Sequence, residues 1–183
     1  MNRNAGTTDV AILDLEVIAE TAAWADRLPE VVELCRAAAA NAFTAARGHR
    51  GFPGGAAEAS LLLSDDARVR SLNKTFRGRD EPTNVLSFSN VEVDVLAAAG
   101  ADGPPSALGD IVVAFETTAG EAAREGKSLS AHLSHLVVHG MLHLLGYDHS
   151  TDGEALEMEA LEVRALAALG IADPYSSVGE ASR

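Results

Sequence analysis

The apolar positions of this chain recur at two spacings, and the switches between them predict its elements. Val10 to Val17 is an apolar run that alternates with acids from Leu13 onward, which reads as a first strand. Pro29 to Ala46 is alanine-rich, opens on a proline and carries Val31, Val32, Leu34, Cys35 and Phe43, which predicts a helix. Gly48 to Gly55 reads as a glycine-dense loop and Glu58 to Leu63 as a strand. Ser64-Asp65-Asp66 offers a cap for a helix running to about Phe76. Arg77 to Pro82 is then a turn, and Asn84 to Ser89, with Val85, Leu86 and Phe88, a strand. Residues 90 to 107 hold Gly100, Gly103, Pro104 and Pro105 and predict a long mobile loop. A strand from Asp110 to Phe115, helices over Glu116–Glu125 and Ser130–Leu145, and an acidic-faced helix from Asp152 to Leu169 complete the chain.

Strands and helices interleave without a regular strand–helix–strand repeat. The expected class is α+β, a single domain over 1–183 with one mixed β-sheet packed against helices. Its core spans about 9–175, and 176–183 form a flexible tail. A hydrophobic content of 47% over 183 residues is enough for one proper core. The single cysteine, Cys35, rules out an internal disulfide and suits a reducing compartment, where it serves as an inert small core residue. No apolar run approaches the ~20 residues that cross a bilayer. The first eight residues lack the basic-then-apolar layout of a signal peptide. A cytoplasmic protein with no membrane partner is expected.

The chemistry concentrates near the end of the predicted Ser130–Leu145 helix. His139 and His143 stand four apart and share a helix face, Gly146 supplies a left-handed stop, and the chain turns back through Tyr147-Asp148 to His149. Three imidazoles converging in this way suit a zinc ion that keeps a position open for water. Zinc peptidases of the H-E-x-x-H type place a glutamate base after the first histidine; here that position is Gly140. The base must come from elsewhere or be metal-bound hydroxide itself, and peptide cleavage is disfavoured. His135 lies one turn before His139 but about 12 Å along the axis from His143, too far for both to serve one ion, so it is assigned to the cleft wall. His132 is assigned to the surface. Asp148 can orient a ligand or accept a proton, and capping the turn is its expected duty.

The motif His-Gly-x-Leu-His-Leu-x-Gly-Tyr-Asp-His, from His139 to His149, resembles the signature of the YbeY family, bacterial endoribonucleases of rRNA maturation. Leu72 to Phe88, with Thr75-Phe76-Arg77-Gly78 and Pro82-Thr83-Asn84-Val85-Leu86-Ser87-Phe88, is similar to a second block of that family. Leu108 to Val113 matches a third, and Ala168 to Ile171 with Asp173-Pro174-Tyr175 a common ending. The resemblance covers about residues 60 to 175. It implies a zinc-dependent, single-strand-specific endoribonuclease with one Zn2+ on His139, His143 and His149. Its expected roles are small-subunit rRNA 3′-end maturation and ribosome quality control. The implied partners are the rRNA precursor and the ribosomal small subunit or its assembly factors, with no DNA. Arg77 falls on the family's functional arginine, so Arg77 and His139 are the expected catalytic residues. Lys74, Arg77, Arg79 and His135 are the expected RNA contacts.

A guanidinium at Arg77 suits that part, because it grips phosphate bidentately; the competing reading is an ion pair with Asp80 or Glu81. The net charge of −13 argues against loose binding to nucleic acid. Its distribution softens the objection. Seven of the fourteen basic residues fall between Arg47 and Arg79, whereas from Asn84 onward fifteen acids face four bases. Two other readings remain: a zinc peptidase, which Gly140 disfavours, and a non-catalytic assembly factor whose structural zinc would need a fourth ligand.

Overall fold

A computed structural model describes residues 12–47, 55–90 and 103–176. In chain order the elements are β1 (Leu13–Ala19), α1 (Ala22–Arg27), α2 (Val31–Ala45), β2 (Ala57–Ser64), α3 (Asp66–Arg77) and β3 (Val85–Ser89). They are followed by β4 (Ser106–Ala114), α4 (Phe115–Arg124), α5 (Leu129–Leu144) and α6 (Asp152–Ala168). The four strands form one mixed sheet in the order β1-β2-β4-β3. β1 runs parallel to β2 and β2 to β4, while β3 pairs antiparallel with β4 at one end of the order. The fold is α+β, as the interleaved pattern predicts.

The period-2 alternation divides the sheet into two unequal faces. Leu15, Ala59, Leu61, Leu63, Ile111 and Val113 point to the larger core, which α2, α5 and α6 complete. Helix α2 buries Val31, Cys35, Ala38, Ala39, Ala42 and Phe43, a stripe at helical spacing whose alanines let it lie close to α5. Burial pushes the Cys35 thiol up to about 12. The opposite face is thinner: Leu86, Val112 and Ala114 cluster with Val69 of α3, and Leu62, Leu72 and Phe88 pack around them.

Local chemistry sets the helix ends. Asp65 accepts from the backbone N–H of Arg68, Ser128 from that of Ala131, and Thr151 with Glu154 forms a capping box. At the end of α5 the Gly146 N–H donates to the carbonyl of His143 and the Tyr147 N–H to that of Leu142. With Gly146 at φ 87°, this is a Schellman close, and it turns the chain sharply back towards its own helix.

Several boundaries differ from the sequence reading. β1 begins at Leu13; Val10 and Ala11 lie outside the described residues. Helix α2 starts at Val31, two residues after Pro29. Helix α1 is new. Its Trp24 is wholly buried, donates through Nε1 to the Ser64 carbonyl at 3.0 Å and meets Phe115 edge-on. β4 begins at Ser106, because pairing with β2 draws Ser106 to Gly109 into the sheet, and Phe115 opens α4 instead of ending the strand. The loop expected over 90–107 falls mostly on 91–102, outside the described residues, as do 48–54 of the glycine-rich loop and 177–183 of the tail.

Candidate metal centre

His139 and His143 project from the last two turns of α5, and the Schellman close returns His149 to meet them. One ring nitrogen from each of the three lies within 4.8 Å of the others. The Nε2 atoms of His139 and His143 are 3.0 Å apart. Each of these two rings is fixed from behind. His139 Nδ1–H donates to Glu162 Oε1 at 2.7 Å, and His143 Nδ1–H donates to the Tyr147 carbonyl at 2.9 Å. A carboxylate and a carbonyl only accept, so both Nδ1 atoms carry the proton and both Nε2 lone pairs face inward. Two lone pairs at that separation repel unless a cation lies between them.

Burial, then the neighbouring charges of His139 and His149, holds His143 down at about 4, so it is neutral and ready to ligate at physiological pH. The donor set, the spacing and the enforced tautomers fit a zinc-like ion with bonds of ~2.0–2.1 Å. Among the described residues no fourth histidine, cysteine or carboxylate joins the cluster.

Glu162 is the component that the sequence reading missed. It is 1% exposed, and besides His139 it accepts from His135 Nε2 at 3.1 Å and from the Tyr175 hydroxyl. Burial alone would favour its neutral form, but the hydrogen bonds from His135, His139 and Tyr175 outweigh that and lower it to about 2. The same burial and the facing carboxylate push the Tyr175 hydroxyl well above its usual range. A carboxylate behind a ligating imidazole fixes its rotation and raises its basicity. Glu162→Gln is expected to weaken zinc binding by about 10- to 100-fold, read by competition with a chromophoric chelator, with little change in the circular dichroism spectrum. Unchanged affinity would show that Glu162 does not set the ligand.

The histidines open into a cleft of about 540 Å³, whose other walls include Arg77, Asn84 and Ser87. Arg77 ends α3, and among the described residues it has no carboxylate partner. Asp80, the suggested alternative, is taken by Arg70 Nε and Lys74 Nζ, both at 2.8 Å. Asn73 Nδ2 pins the same turn by donating to the Glu81 carbonyl at 2.8 Å. Asn84 is locked as well: its Oδ1 accepts from the Val85 N–H at 2.7 Å and its Nδ2 donates to Glu121 at 2.9 Å.

The other expected residues are placed differently. His135 is absent from the cleft lining and bonds to Glu162 behind His139. Lys74 and Arg79 are exposed on the α3 side and do not line the cleft. Asp148 caps its turn, accepting from the His149 N–H and the Ser150 hydroxyl. His132 is not a surface residue. It is 5% exposed and its Nε2 bonds to Glu121 at 2.9 Å, because an acid on α4 meets it inside the fold.

Gly140 has a packing reason. A Cβ there would meet Ile111 Cγ2 at 3.0 Å and Ser87 Oγ at 3.1 Å, since α5 lies directly on β3 and β4. The glutamate of a peptidase motif therefore has no room. Gly140→Glu is expected to lower stability by at least ~3 kcal/mol, combining overpacking with burial of a carboxylate, and to create no peptidase. Chemical denaturation and a casein assay check both parts; a stable, casein-cleaving variant would contradict this packing.

The model of the family described as Endoribonuclease YbeY matches residues 25–170. The chain belongs to the YbeY family. "Endoribonuclease YbeY" of Paramagnetospirillum magneticum is 52% identical over 153 residues, covering 84% of this chain and 90% of that protein. The Parvibaculum lavamentivorans protein of the same name is 46% identical over 172 residues, 93% of this chain and 89% of its own. The solution structure of TM1509 from Thermotoga maritima superposes with a TM-score of 0.54 at 20% identity, covering 93% of this chain and all of that one, which shows a shared fold.

Proposed function

We propose that this chain is a zinc-dependent endoribonuclease that hydrolyses single-stranded RNA, acting in small-subunit rRNA 3′-end maturation and ribosome quality control. Zn2+ would be held by His139, His143 and His149. The observation that carries the reading is the pair of inward-facing Nε2 atoms, fixed by Glu162 and the Tyr147 carbonyl, in one cleft with Arg77, which has no carboxylate partner among the described residues. The name borne by relatives across most of the chain supports the RNA substrate and the hydrolytic reaction.

When bound, zinc supplies a Lewis acid that lowers the pKa of a coordinated water and polarises a phosphoryl oxygen. The chain's residues do the positioning. Arg77 grips the scissile phosphate with its guanidinium fork and stabilises charge that grows on the phosphoryl oxygens. Asn84 and Ser87 line the wall against which the strand lies. Glu162 keeps the His139 ring turned inward with its Nε2 lone pair presented. The expected partner is the small-subunit rRNA precursor, with the ribosomal small subunit or its assembly factors, in the cytoplasm. Among the described residues no helix is long and apolar enough to cross a membrane. Incubating the zinc-loaded protein with precursor rRNA should release a discrete 3′ fragment, and the His143→Ala variant should release none. Equal cleavage by both would overturn the proposal.

A further inference from the structure

Resting on that reading, we infer that the thin face of the sheet under α3 is a second RNA subsite, in which Phe76 stacks on a base flanking the scissile phosphate. Phe76 is 65% exposed, an unusual cost for a large apolar ring, and its edge rests on Phe88 at 5.1 Å between centroids. The two rings head a groove of about 520 Å³ that also includes Ile18, Leu62, Leu72 and Val112.

The groove and the histidine cleft lie back to back on β3, a terminal strand of the sheet among the described residues. Val85, Ser87 and Ser89 face the histidines, whereas Phe88 faces the groove. The last turn of α3 joins the two, with Phe76 lining the groove and the next residue, Arg77, lining the cleft. A strand held at its phosphate by Arg77 therefore needs only to pass over this turn to set a neighbouring base against Phe76.

Charge favours nucleic acid over an apolar protein segment. In a chain of net charge −13, Arg68 at the groove and Arg77 and Arg79 at the joining turn have no carboxylate partner among the described residues. The nearby Arg70 and Lys74 share the single carboxylate of Asp80, which leaves that trio one positive charge in excess. One acid, Asp110, stands opposite Phe88 in the β3–β4 register and bounds the groove on that side. An exposed aromatic among unpaired arginines is the arrangement that takes single-stranded nucleic acid without reading its sequence.

The test uses the full chain freed of metal, so that nothing is cut, and a labelled single-stranded oligouridine of about 12 nucleotides. Phe76→Ala should weaken binding roughly 5- to 100-fold, the effect of losing one base–aromatic stack. Arg68→Glu should weaken it too and flatten its salt dependence. The chain's single tryptophan, Trp24, is buried, so Phe76→Trp adds a reporter in the groove. Its emission should be quenched by oligouridine and not by an abasic strand of equal length. Unchanged affinity in Phe76→Ala while Arg77→Glu binds weakly would overturn the subsite and leave the RNA reading standing. Equal quenching by the abasic strand would show that no base stacks on this face and overturn the subsite as well. Failure of the unaltered chain to bind oligouridine would overturn both.

Discussion

Arg77→Glu is expected to reduce cleavage of single-stranded RNA by at least ~100-fold while zinc content and melting temperature stay at the level of the unaltered chain. The separation follows from geometry. Arg77 sits at the end of α3, across the cleft from the histidines, and a guanidinium has no free lone pair with which to ligate a metal. It is exposed and has no side-chain hydrogen bond or ion pair among the described residues, so its replacement breaks none of them. Charge reversal turns attraction for a phosphate into repulsion, and the lost stabilisation of developing negative charge accounts for the magnitude. Arg77→Lys should recover part of the rate, because a point charge cannot reproduce a two-pronged grip. Gel assays of cleavage and elemental analysis of the same preparations check this. Arg77→Glu cutting RNA at the unaltered rate would remove Arg77 from the mechanism and leave the metal centre untouched.

Removal of a single imidazole should have an equally large effect on metal-linked stability. Zinc at one hundred times its Kd stabilises the native state by about 2.7 kcal/mol, or roughly 5–10 °C in Tm for a domain of this size. His139→Ala and His149→Ala should each abolish that increment. His132→Ala removes a buried hydrogen bond to Glu121 and should lower the starting Tm, yet it should keep the zinc increment in full. Differential scanning fluorimetry with and without zinc distinguishes the two effects. Equal loss of the increment in all three variants would mean that the ligand set is misassigned.

The part of this site carried by one short segment was readable in the sequence, because its geometry is local. His139 and His143 share a face by helical periodicity, and Gly146 marks the stop that sends His149 back. What depended on distant packing was not readable. Glu162 is an acid on the buried stripe formed by Met158, Leu161, Ala165 and Leu166, and that misplaced charge was the one available signal. Without knowing that α6 packs on α5, nothing ties it to His139. The misreading of His132 has the same origin, since its partner Glu121 belongs to α4. Helix α1 has six residues, too few to show a period, and is defined by the burial of Trp24. The first residues of β4 looked like loop beside Gly103, Pro104 and Pro105 until pairing with β2 made them strand. The strand order β1-β2-β4-β3 likewise arises from long-range pairing, which local patterns do not encode.

The central claim is that His139, His143 and His149 hold a metal on which RNA hydrolysis depends. The most direct measurement is a zinc titration of the chelator-stripped full chain, followed at each step by cleavage of single-stranded RNA. Cleavage should rise in proportion to bound zinc and level off at close to one ion per chain, whereas the His143→Ala protein should neither bind zinc at the site nor cut. Full cleavage by the stripped chain, or zinc uptake to saturation with no cleavage, would contradict it.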